Sequence, residues 1–89
     1  MATAAGAPIT VHLRFFASLR ERLKTAATDR TLSRGASVAD LWASLCEERP
    51  DLVPLSASMS FAVNREYVER EHILAEGDEV ALIPPVSGG

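Results

Sequence analysis

Ile9, Val11, Leu13 and Phe15 alternate with Thr10, His12 and Arg14, the two-residue period of a strand with one face buried. Phe16 breaks that period and falls on the face opposite Phe15, where an aromatic ring is costly unless something covers it. From Ala17 to about Lys24 the spacing becomes helical, with Leu19 and Leu23 four apart and Arg20, Glu21 and Arg22 outward. Thr28 to Ser33 reads as a second strand, ended by the turn residues Arg34 and Gly35. Ser37-Val38-Ala39-Asp40 is a helix start, a hydroxyl to cap free N–H groups and an acid three residues on. Val38, Leu41, Trp42 and Leu45 then fall at i, i+3, i+4 and i+7, predicting the main amphipathic helix. Pro50 stops it, and residues 51–58 are expected to form a loop with Leu52, Val53 and Leu55 tucked onto the core. Met59, Phe61 and Val63 alternate into a hairpin whose positive-φ turn Asn64 and Arg65 can supply, with Tyr67 and Val68 starting the return. Ile73 and Leu74 are expected to pack back, before the tight turn Glu76-Gly77-Asp78 feeds a final strand from Glu79 to Ile83.

Composition narrows the picture without changing it. At 89 residues, 47% hydrophobic and 24% charged, the chain has room for one domain and one small core. Residues 1–8 are Ala/Gly-rich and aperiodic, read as a disordered lead, so the domain is expected over 9–85. The net charge is -3, with seven Arg/Lys against five Asp/Glu in residues 1–49 and two against seven in residues 50–89. Nucleic acid is therefore not an expected partner, and the acidic half is either a solvated face or suited to a basic docking surface. A single cysteine, Cys46, excludes an internal disulfide and fits a reducing, cytoplasmic setting. Cys46 and Trp42 read as packing rather than chemistry. His12 and His72 have no companions at metal-ligand spacing and read as surface residues. No apolar run is long enough to span a membrane, no nucleophile has a neighbouring base, and no glycine-rich phosphate loop is present.

The remaining chemistry lies in the last six residues. Pro84 and Pro85 end sheet pairing and send the chain out stiff and extended. Val86, Ser87, Gly88 and Gly89 follow as a projecting tail with a reach of about 13 to 14 Å. Gly88 and Gly89 let backbone enter a channel too narrow for a side chain, and Gly89 is read as carrying a free carboxylate. A double glycine alone is equally the mark of a frayed end; the Pro-Pro brace directly after a strand is what favours a presented tail.

Three motifs in order, Phe15-Phe16-Ala17, Ala62-Val63-Asn64 and Pro84-Pro85-Val86-Ser87-Gly88-Gly89, make the chain resemble the small sulfur-carrier subunits of molybdopterin synthase from about Ile9 to Gly89. The resemblance implies an α+β, ubiquitin-like β-grasp fold, a mixed sheet with one main helix across one face and its first and last strands parallel neighbours. On that frame Phe16, Tyr67 and Ile83 take the parity opposite to Phe15, Val68 and Leu82, placing them on the helix-free face as a docking surface, with Pro84, Pro85, Val86 and Ser87 also meeting the partner. The resemblance further implies that an E1-like, ATP-using adenylyltransferase activates Gly89 and that a sulfur donor protein converts it to a thiocarboxylate. That sulfur would then be delivered to a cyclic pterin precursor inside the synthase large subunit. The chain would hold no complete active site, bind no cofactor or metal itself, and meet no membrane. Two other readings stand beside it: a thiamine-type sulfur carrier, which typically lacks Phe-Phe-Ala and Pro-Pro-Val-Ser, and a ubiquitin-like protein modifier joined through Gly89 to lysine.

Overall fold

The computed structural model describes residues 7–85; the expected tail, Val86 to Gly89, and most of the expected N-terminal lead lie outside them. Strand β1 runs Ile9–Phe15 and helix α1 Ala17–Leu23, closed by Lys24 in the left-handed conformation. Strand β2 is Ala27–Leu32, one residue earlier at each end than the sequence pattern indicates. Helix α2, Val38–Glu48, opens with the expected capping box: Ser37 Oγ accepts from the Asp40 amide at 3.1 Å, and the Ser37 amide donates to Asp40 Oδ2 at 2.9 Å. Strands β3 (Ser60–Val63), β4 (Glu66–Tyr67) and β5 (Glu79–Ile83) complete a five-stranded sheet in the order β2-β1-β5-β3-β4. The first and last strands are parallel, Leu13 opposite Val80 and Phe15 opposite Leu82; the other pairings are antiparallel. This is the β-grasp architecture.

The core lies between the sheet and α2. The inward positions of β1 and β5, namely Ile9, Val11, Leu13, Phe15, Val80 and Leu82, meet Val38, Leu41, Trp42 and Leu45 of the helix, and all are buried. Trp42 and Phe61 stack edge to face with centroids 5.9 Å apart, and the indole N–H donates to Ser56 Oγ at 2.8 Å, so the buried ring leaves no orphan donor. Cys46 is half-buried against this cluster. Arg30 reaches from β2 to α2, donating to both Glu48 carboxylate oxygens at 2.7 and 2.9 Å. That paired guanidinium holds the Glu48 carboxyl below its ordinary pKa.

Three local expectations are corrected. Residues 51–58 are not a loop: Pro50–Ser58 forms a 3-10 helix, started by a proline whose missing N–H is harmless in the first turn. Arg70 holds its end, donating to the carbonyls of Ser56 and Met59 with its guanidinium 5.1 Å from the Phe61 ring centroid. Because helical rotation replaces extended alternation, Leu52 is buried and Leu55 half-buried, whereas Val53 is exposed. Of the pair Ile73 and Leu74 only Leu74 packs inward; neighbours in an extended segment point to opposite sides, and Ile73 is exposed. The return strand ends at Tyr67, and Val68 packs on the core from the segment after it.

Candidate functional site

The face of the sheet away from α2 is assembled by register. Across β2, β1 and β5 one row reads Asp29, His12, Glu79, and the next reads Ala27, Arg14, Ala81, continuing through Ala62 of β3 to Tyr67 of β4. A third row holds Ile83 opposite Ser60, with Phe16 one residue beyond the last paired position of β1. The face is therefore graded, polar at one end and apolar at the end where β5 leaves the sheet.

Each apolar side chain is positioned by a local device. Phe16 is extended (φ -120, ψ 157) as the residue before α1, and Ala17 turns the chain into the helix with φ 50, a left-handed value costing an alanine about 1–2 kcal/mol. The reversal leaves Phe16 on the outer face, 40% exposed. Tyr67 follows the Asn64-Arg65 turn, whose φ values of 51 and 74 match a type I′ hairpin, and is 74% exposed. The Asn64 side chain ties that turn to the start of β5, donating to Asp78 Oδ1 at 2.9 Å and accepting from the Glu79 amide at 3.0 Å. Ile83 is half-buried. Phe16 and Tyr67 stand three strands and a two-residue step apart, about 16 Å. Ala81 and Ala62 floor the gap, two residues sequence reasoning missed because a small side chain gives no signal of its face until strands are paired. Pro84 is buried and Pro85 exposed, directly after the last paired residue of β5.

The polar end is organised by charge. His12 Nδ1 lies 2.7 Å from Asp29 Oδ1, and that hydrogen bond, with the charge of Asp29, raises the His12 pKa above 6.5. Arg14 donates to Glu79 at 3.1 Å. His72, by contrast, is a loop residue whose carbonyl accepts from the first amide of α2. Among the described residues no group of three His, Cys, Asp or Glu is placed to hold a metal ion, and no helix is long and apolar enough to cross a membrane. The arrangement leaves Phe16 and Tyr67 exposed on the outer face, at the side of the sheet where the paired part of β5 ends at Ile83. The glycines Gly88 and Gly89, with Val86 and Ser87, lie outside the described residues.

A five-stranded mixed sheet grasping one helix, with an apolar outer face beside its last strand's exit, defines a ubiquitin-like β-grasp protein. Within that class the chain belongs to the ThiS family, whose model matches residues 13–89. The molybdopterin synthase sulfur carrier subunit of Aedes aegypti is 39% identical over 88 residues, covering 91% of this chain and 90% of that one. Among solved structures, the putative molybdopterin converting factor subunit 1 of Pyrococcus furiosus superposes with a TM-score of 0.78 at 27% identity, covering 88% of this chain and 99% of that one. SAMP1 of Haloferax volcanii, a small archaeal modifier protein, gives 0.75 at 28% identity over 90% and 99%.

Proposed function

We propose that this chain is the sulfur carrier of a molybdopterin synthase, docking its large subunit through Phe16, Tyr67 and Ile83. The observation that carries the reading is the coincidence of two features: Phe16 and Ile83 stand together one residue past the Phe15–Leu82 pair, and there Pro84 and Pro85 take the chain off the sheet. A partner seated on the apolar face would receive the tail directly. The relatives named as sulfur carrier subunits, one of them 39% identical, support the same role.

The chemistry follows from the end group. A glycine carboxylate is a poor electrophile until its oxygen becomes a leaving group, and adenylation by an ATP-using, E1-like enzyme supplies that group. Sulfur delivered at the sulfide level by a donor protein attacks the acyl carbon, the C–O bond to AMP breaks as the C–S bond forms, and a thiocarboxylate is left on Gly89. Held by docking, this nucleophile meets cyclic pyranopterin monophosphate in the large subunit at high effective concentration, and acid and base groups come from that subunit. The chain itself binds neither ATP nor a cofactor. The likeness to SAMP1 favours a second reading, in which the activated Gly89 forms an isopeptide with lysine.

One experiment separates them. Intact mass of the protein from its native host shows oxygen replaced by sulfur for a carrier, and lysine adducts for a modifier. Deleting Gly89 draws the reacting carbon back by about 3.5 Å, when a misplacement of about 1 Å already costs on the order of a hundredfold in rate. Adding a residue after Gly89 buries the carboxylate in an amide. Both variants are expected to lose pterin conversion nearly completely with unchanged melting. Wild-type conversion by the deletion variant rules the mechanism out.

A further inference from the structure

The outer face carries a charged feature that sulfur delivery does not require. Arg14, Phe16, Arg65, Glu79 and Ala81 line a cleft of 160 Å³. Arg14 and Glu79 neutralise one another at 3.1 Å, leaving the Arg65 guanidinium as surplus positive charge. Arg65 enters no ion pair among the described residues. It is one of two basic residues against seven acidic ones in residues 50–89, and the other, Arg70, is spent on the carbonyls of Ser56 and Met59. Arg65 also occupies the second central position of its turn at φ 74, where glycine is the unstrained choice. A cationic side chain is thus held at a backbone cost, at the rim of an apolar face, in a chain of net charge -3.

We propose that this cleft receives one acidic side chain of the docking partner, Arg65 taking its carboxylate and Phe16 and Ala81 covering its hydrocarbon stem. The proposal rests on the docking reading above. The cleft is well below the roughly 300–1,000 Å³ of sites that enclose a small-molecule ligand. Glu79 on its wall opposes a multiply charged anion such as phosphate while leaving room for a single negative charge beside Arg65. Guanidinium to carboxylate is also the pairing that combines charge with two parallel hydrogen bonds.

The decisive variant is Arg65→Gly, because stability and binding are expected to move in opposite directions. Relief of the left-handed strain raises the melting temperature by about 4–8 °C. Loss of the guanidinium weakens binding of the full chain to the synthase large subunit about tenfold or more, and Arg65→Glu weakens it about a hundredfold. The salt dependence of association falls in Arg65→Gly. Replacing the acidic residues of the large subunit by lysine, one at a time, restores binding of Arg65→Glu at one position. If Arg65→Gly and Arg65→Glu bind as wild type while Phe16→Asp does not, the cleft proposal is wrong and the docking face stands. If all three bind as wild type, the docking reading fails and the proposal with it. If no lysine substitution restores Arg65→Glu, the occupant is not an acidic side chain and the proposal is overturned.

Discussion

Replacing Tyr67 with alanine removes an aromatic side chain that is 74% exposed on the outer face. A tyrosine buries about 150–250 Å² when fully covered, and Tyr67 is 74% exposed in the free chain, so roughly 110–185 Å² remain for a partner to cover. At about 25 cal/mol per Å² this amounts to about 3–4.5 kcal/mol. Alanine keeps the backbone and Cβ, which lowers the expected loss to about 2–3 kcal/mol, a drop of roughly 30- to 150-fold in affinity. The fold feels the change much less. Tyr67 sits on a two-residue edge strand opposite Ala62, and a strand substitution there shifts stability by under about 1 kcal/mol. Calorimetric titration of the large subunit, with urea melts of each form, measures both quantities. An affinity within twofold of wild type, with the melts unchanged, would mean that no partner covers Tyr67, and the docking argument would fail.

Two further outcomes test the same face. Phe16→Asp is expected to abolish association while the domain still folds, because Phe16 is the residue before α1 and makes no side-chain cap there, a position that suits aspartate; a variant that unfolds in circular dichroism would put Phe16 in the core instead. The His12–Asp29 pair predicts a small pH dependence: the folded-state pKa of His12 is raised, so its contribution is fully present below 6.5 and is lost as pH rises through the raised folded value. Asp29→Asn is expected to flatten that slope in urea midpoints measured from pH 5.5 to 8.5 and to lower the His12 titration followed by NMR; an unmoved titration refutes the pairing.

Features that a few adjacent residues encode were legible in the chain. The alternation of Ile9 to Phe15, the Ser37 and Asp40 capping box, the Asn64-Arg65 turn and the boundaries of β5 depend on local periodicity and backbone preference, and each is present as expected. The 3-10 helix at Pro50–Ser58 was not, because Arg70, many residues away, supplies the contacts that hold its end. Strand parity assigned Phe16, Tyr67 and Ile83 to the face opposite the core, and Phe16 and Tyr67 stand exposed there. Parity chooses between two faces of one strand and says nothing of which strand lies alongside. Only the parallel pairing of β1 with β5 brings Phe16 to Ile83, and only the order β1-β5-β3-β4 floors the face with Ala81 and Ala62. The cleft around Arg65 needs more still, since its walls come from β1, β5 and the hairpin turn. Register between distant strands is settled by closing long loops over a shared core, a global balance that no short stretch of sequence contains.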